Sequence, residues 1–323
     1  MDEPGQILRA HRPGQAGSHI ARLARYLAER FGIQLLVIQL LMYGAGMLYG
    51  QAIARPGPVV LRPQDDGAGA AALVMFFLLA RVFDEHKDYE FDVAQLPDRP
   101  LPRGAISWAE VNSLGVLAVL VEMAVCVAFD RGLGPVCAWW AIAMAYLVLT
   151  RFEFFARPWL RRHFVTNTVT HLPVYALASV WAAQMGAHPR WVPPAVAWLA
   201  AYTYFHTFGA DLWRKSLAPE DERPEIDTYT QRWGTGGASL ATAAVVIIAA
   251  ALAAAMLAAA SAGGAAGYAV LGLAVLPVLA GLRRFTRDPC RATNEQRRKL
   301  LALTLVALQL TVILTIVIQR GLR

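Results

Sequence analysis

The chain has 323 residues, of which 57% are hydrophobic and only 16% charged, with a mean hydropathy of +0.41. Soluble domains carry roughly 25% charged residues, so this balance excludes an ordinary soluble fold, a disordered chain and a small disulfide-stapled domain. The net charge of +7 reads as membrane orientation and not as nucleic-acid binding, because the basic residues are spread over all the polar segments of one side.

In chain order, residues 1–31 form a basic arm. It is either an amphipathic helix with Ile20, Leu23, Leu27 and Phe31 on one face or an interfacial tail with no part in chemistry. Nine apolar runs follow, each close to the 17–25 residues that cross a bilayer as a helix. They are Ile33–Ala54, Gly67–Phe83, Val111–Phe129, Leu133–Thr150, Phe164–Gly186, Val192–Ala210, Gly237–Gly263, Ala266–Leu282 and Leu300–Gln319. They lack the alternation of a membrane β-barrel, and no signal peptide is expected before them. The eighth is short and contains Pro277, which predicts a kink or tilt. Small residues in the Ala-rich seventh favour close helix packing. The expectation is an all-α membrane protein with nine transmembrane helices in residues 32–323 and a cytoplasmic N-terminus. The cysteines Cys126, Cys137 and Cys290 have no metal or redox spacing.

A cytoplasmic N-terminus places most Lys and Arg on that side, as the positive-inside rule requires. The opposite side carries Arg55, Arg62, Arg131, Arg190, Arg320 and Arg323. The expected location is a bacterial inner membrane, with the polar chemistry on its cytoplasmic face and membrane lipids as partners.

Acids concentrate in two segments of that face, 84–105 and 211–236. In the first, Asp84, Asp88 and Asp92 fall at i, i+4 and i+8, with Glu85 at i−3 from Asp88, so a continuing helix would put them on one face. Mg²⁺ would relieve their mutual repulsion, since it takes a few carboxylates and completes its shell with waters and substrate phosphates. The alternative is a solvated acidic helix end. Arg99 and Arg103, in a stiff proline-rich stretch, either contact phosphate or balance the acids. The second segment begins after Tyr202 and His206, which share a helical face. There Asp211 and Lys215 lie at i, i+4, and Asp221 follows Pro219 as a metal ligand or a helix cap. Polar groups inside spans are costly, which singles out Glu122, Glu153, and the i, i+4 pair Asn167 and His171. A dry cavity for a carbocation would use aromatic faces, among them Tyr43, Tyr146, Trp181 and Tyr202; each is equally a packing residue.

Asp84-Glu85-x-x-Asp88-x-x-x-Asp92, followed by Arg99-Pro100-Leu101-Pro102-Arg103-Gly104-Ala105-Ile106-Ser107, resembles the first acidic motif and the R-P-[LI]-P-x-G-x-[IL]-S element of the UbiA superfamily of intramembrane prenyltransferases. The likeness extends over roughly residues 30–320. It departs from that pattern at Asp84 and Glu85, where the family has Asn and Asp, and at Lys215, where it has the second Asp of D-x-x-x-D. It departs again after Tyr146, where Arg151 stands near the family's Lys. The tail Asp227-Thr228-Tyr229-Thr230 fits the end of the second motif.

The resemblance implies a nine-helix UbiA-like bundle and a Mg²⁺-dependent enzyme that ionises an isoprenyl diphosphate at two Asp-rich motifs. It implies Asp84, Glu85, Asp88, Asp92, Asp211 and Asp221 toward metal, with Lys215 beside them in catalysis. Arg99, Arg103, Arg151, Tyr146, Tyr202, His206, Asn167 and His171 are implied toward substrate. The departures around the acceptor region tilt the reading toward a UbiA-type terpene cyclase. Prenyl transfer to an aromatic or lipid acceptor is the alternative, and a membrane carrier a remote one. Chain length of the isoprenoid and oligomeric state are not encoded in these motifs.

Overall fold

The structure, a computed structural model, describes residues 18–323; the first part of the expected arm lies outside them. The regular elements of the described residues are all helices, with one isolated β-bridge between Val59 and Leu322. In order the helices are α1 (His19–Arg30), α2 (Ile33–Ala54), α3 (Pro63–Gln95), α4 (Trp108–Asp130), α5 (Pro135–Arg151) and α6 (Arg157–Arg162). They continue as α7 (Phe164–His171), α8 (Pro173–Ala187), α9 (Val196–Arg214), α10 (Tyr229–Ala259), α11 (Ala265–Arg287) and α12 (Arg291–Arg320). Six of these, α2, α3, α4, α10, α11 and α12, are long and apolar enough to cross a membrane. The protein is an all-helical integral membrane protein.

Two compact units divide the chain, residues 1–40 with 70–125, and residues 41–69 with 126–323. In the first, α1 is capped by Ser18, whose hydroxyl accepts from the Ala21 N–H. Leu23, Leu27 and Phe31 pack against a core of Tyr26, Leu78, Val82, Leu101, Ile106, Val111 and Leu114. Ile20, on the expected apolar face, is 77% exposed and takes no part in this core. The start of α4 is a capping box: the Glu110 carboxylate accepts from the Ser107 N–H and hydroxyl, and the Ser107 Oγ accepts from the Glu110 N–H. Arg22 and His19 of α1 also bond to Glu110, at 2.6 and 2.8 Å.

In the second unit the helices pack in sequential neighbours, α8 on α9, α9 on α10, and α11 on both α10 and α12. The tightest crossing is between α2 and α8. A Cβ on Gly50 would overlap the Ala183 backbone, and one on Gly186 would overlap the Met47 carbonyl. Only glycine permits that approach, the small-residue spacing Gly46-x-x-x-Gly50 serving as it does in membrane dimers.

Two apolar runs fold differently from expectation. The fifth is interrupted at Leu172, still helical in φ and ψ, between α7 and α8, because Pro173 has no N–H and its ring opposes the carbonyl four residues back. Carbonyls around that break find side-chain donors, with Tyr204 donating to Val169 O at 3.3 Å and Tyr146 to Thr170 O at 2.8 Å. The eighth run is not short, since α11 has 23 residues with Pro277 inside it. Thr304 of α12 donates to Ala274 O in the disturbed turn.

Candidate functional site

The first acidic segment stands on a helix that does not stop at the end of the apolar run. α3 continues from Phe83 to Gln95, so Asp84, Asp88 and Asp92 follow one another at successive turns of one continuous helix. The extension is held by α4: His86 bonds to the Asn112 side chain at 2.7 Å and stacks on Trp108 at 4.5 Å.

Each acid has its own surroundings. Asp84 is half exposed, with Lys87 Nζ at 3.2 Å and Arg81 at 3.7 Å. Glu85 is buried, 2% exposed, and its Oε1 accepts from Arg30 at 2.7 Å and from the Tyr26 hydroxyl at 3.3 Å. Burial and the Glu85 charge together push the Tyr26 hydroxyl pKa above the ordinary phenol range. Asp92 is 1% exposed; Oδ2 pairs with Arg99 at 2.5 Å, while Oδ1 is buried with no hydrogen-bond partner. Arg103 grips Glu29 through both carboxylate oxygens, at 2.7 and 3.0 Å, and donates to Asp98 O. Arg99 and Arg103 therefore both balance acids here.

Among the described residues no three His, Cys, Asp or Glu side chains converge to enclose a metal by themselves. Mg²⁺ does not need such a cage, because one or two carboxylates suffice when phosphates and waters complete the shell. The orphaned, buried Asp92 Oδ1, with Asp88 one turn earlier on α3, fits that requirement.

The second acidic segment is constructed differently. Asp211, just past the sixth apolar run, accepts from Arg214 at 2.7 Å and Lys215 at 3.3 Å on Oδ1. Its Oδ2 accepts from the Tyr229 hydroxyl at 2.7 Å and Thr168 at 3.4 Å. Burial opposes ionisation of Asp211, but Lys215, Arg214 and the Tyr229 bond outweigh it and hold its carboxyl below the usual range. Lys215 Nζ also lies 3.2 Å from Thr168 Oγ1 and 5.0 Å above the Phe164 ring.

From Lys215 the chain makes a closed loop that returns at Tyr229, whose N–H donates to Lys215 O at 2.8 Å. Inside the loop the Glu222 carboxylate accepts from the hydroxyls of Thr228 and Thr230. Asp221 sits in a single tight turn, Pro219–Asp221, and pairs with Arg291 at 2.6 Å instead of capping a helix. Arg297, 1% exposed, donates to Ser216 O and to Asn294 Oδ1, with its guanidinium 5.2 Å from the Phe285 ring centre. The loop is thus pinned from α12 at two points.

The remaining predicted substrate residues lie elsewhere in the second unit. Tyr202 and His206 have ring centres 5.4 Å apart; the Tyr202 hydroxyl is buried without a partner, and His206 Nε2 lies 3.1 Å from Leu305 O. His171 Nδ1 bonds to Asn167 O at 2.7 Å, and Asn167 Oδ1 is buried without a partner. Phe154 stands edge-on to both Tyr146 and His171, each at 5.6 Å. Arg151 lies over the Phe152 ring at 5.7 Å, and Glu153 pairs with Arg157 at 3.1 Å.

Sequence reasoning missed Tyr26, Arg30, Thr168, Tyr229 and Arg291 as partners of the acids, and Arg297 as the residue that fastens Ser216. Only Tyr229 carried a signal, its place in the Asp227-Thr228-Tyr229-Thr230 stretch.

Residues 31–314 match the model of the UbiA prenyltransferase family. The fold is similar to a solved structure of digeranylgeranylglyceryl phosphate synthase, with TM-score 0.63 and 13% identity over 92% of this chain and 99% of that one. It is also similar to the apo structure of a UbiA homolog from Aeropyrum pernix K1, with TM-score 0.58 and 15% identity over 86% of this chain and 97% of that one. At such identities the likeness shows the fold alone. No curated protein matches the sequence.

Proposed function

The chain belongs to the UbiA prenyltransferase family, and on that premise we propose a Mg²⁺-dependent enzyme that ionises an isoprenyl diphosphate on the cytoplasmic side of a bacterial inner membrane. Members of this family are membrane enzymes that use isoprenyl diphosphates, and they generally use Mg²⁺. The observation that carries the reading here is the buried, unpartnered Asp92 Oδ1 on the extended α3. Asp88 and Asp92 would hold the ion, with Asp84 and Glu85 as flanking charge. Bound there, Mg²⁺ supplies positive charge to a diphosphate whose negative charge grows as the allylic C–O bond breaks. Arg99 fixes Asp92 through its other oxygen, and Arg30 with Tyr26 fixes Glu85, so the acids are held in place before substrate arrives.

Cyclisation is the first reading for the fate of the cation, supported by the departures from the family pattern at Arg151 and Lys215. Prenyl transfer is the second, favoured by Asn167 Oδ1, a buried acceptor suited to the hydroxyl of an acceptor molecule.

Purified protein given Mg²⁺ and farnesyl, geranylgeranyl or longer diphosphates without acceptor separates the two readings. A cyclic hydrocarbon or cyclic alcohol, identified by mass spectrometry, is the expected product. No turnover until a phenol is added would replace cyclisation by transfer. Asp92→Asn is expected to lower diphosphate release by about 100-fold or more; an unchanged rate would remove α3 from the chemistry.

A further inference from the structure

The carboxylate that opens the second acidic segment, Asp211, is already saturated. A carboxylate offers about four lone-pair positions, and Asp211 has four donors on them: Arg214, Lys215, Tyr229 and Thr168. Asp221 is taken by Nε and Nη2 of Arg291, and Asp227 by Nε and Nη2 of Arg232. Glu222 receives the hydroxyls of Thr228 and Thr230. Glu220 and Glu225 are exposed at the loop surface. A cation entering at Asp211 would have to expel an ammonium and a guanidinium that sit on the same oxygen. This differs from the first segment, where Asp92 keeps an open, buried acceptor.

Positive charge is what this place does offer. Arg214 and Lys215 together exceed the single charge of Asp211. The Lys215 ammonium is held by a carboxylate at 3.3 Å, a hydroxyl at 3.2 Å and an aromatic face at 5.0 Å while staying partly exposed. Lysine is a compact point charge suited to phosphate. Its flexible stem is normally the entropic cost of using it, and here three contacts have already immobilised it. The loop that carries it is fastened by Arg297 at Ser216 O and by Arg291 at Asp221.

We propose that Lys215 binds substrate diphosphate directly, as a fixed ammonium where the family pattern has the second Asp of its second motif, and that Asp211 takes up no divalent metal. This rests on the diphosphate-ionising function proposed above. Asp211 is then a positioning residue for Lys215 and not a metal ligand. The loop 215–229 sets the place of the ammonium.

The test is a count of metal ions on the full-length protein in lipid nanodiscs. Mn²⁺ is titrated in the presence of saturating geranylgeranyl thiolodiphosphate, and bound ions are read from the loss of the free-Mn²⁺ electron paramagnetic resonance signal. One Mn²⁺ per chain is expected. Two would overturn the inference and leave the proposed function standing; none would overturn both. Lys215→Gln should weaken the thiolodiphosphate by roughly 10- to 100-fold with the count still at one, and Lys215→Arg should restore most of the affinity. Unchanged affinity in Lys215→Gln would overturn the inference. If Lys215→Gln does not fold, the wild-type count and the Lys215→Arg affinity decide.

Discussion

Glu153, Phe154 and Phe155 have φ values of 48°, 52° and 58°, a full left-handed turn made without a glycine. Each such residue costs roughly 1–2 kcal/mol for an L-amino acid, so the turn persists only because its surroundings enforce it. Phe154 accounts for part of that, wedged edge-on to Tyr146 and His171. Phe155 is 79% exposed and stacks on Phe152. Phe155→Gly is therefore expected to be neutral or to stabilise by up to about 1 kcal/mol. Phe154→Gly should destabilise despite the same relief, because two aromatic pairs worth about 0.5–1.5 kcal/mol each are lost. Thermal unfolding of the two variants in detergent checks the contrast, and equal shifts would refute it. Nothing in the residues Glu-Phe-Phe announces a left-handed turn. The acids were legible in the sequence, because charge beside an apolar run is visible. Their partners were not, since Arg30 reaches Glu85 and Arg291 reaches Asp221 across long stretches of chain.

At the scale of elements, hydropathy locates apolar runs well and locates interruptions poorly. The first run and α2 share the bounds Ile33–Ala54. The fifth run is continuous in hydropathy, yet Pro173 divides it, because proline removes a hydrogen bond without removing apolar character. The acidic extension of α3 had the opposite difficulty: its charges hid how far the helix continues. Small residues were legible only in part. The Ala-rich seventh run packs as expected, α10 lying against α9 and α11, while the close approach of Gly50 to the Ala183 backbone had no such composition to mark it. Gly50→Leu is expected to force α2 from α8 and to cost about 3 kcal/mol or more. Gly50→Ala should also destabilise, since even a methyl group meets backbone there. Loss of melting temperature in detergent measures both, and a Gly50→Leu variant as stable as the wild type would show that the crossing is looser than described.

For the whole molecule, composition alone identified a membrane protein, and the uneven distribution of arginine leads to the expectation of a cytoplasmic N-terminus. That orientation has a direct check in the native cysteines. Cys290 lies between α11 and α12, on the side expected to face the cytoplasm, and Cys137 begins α5 at the opposite side. A membrane-impermeant maleimide should label Cys290 in inverted vesicles and spare it in spheroplasts; the reverse pattern would invert the topology. Helix α1 bears on how the protein can be handled. Arg30 neutralises, and Tyr26 hydrogen-bonds, a carboxylate sunk to 2% exposure, so trimming the amino terminus past Arg30 would strand that charge in a nonpolar setting. A form that lacks α1 and behaves poorly would be reporting the loss of this clasp and not the limits of the bundle.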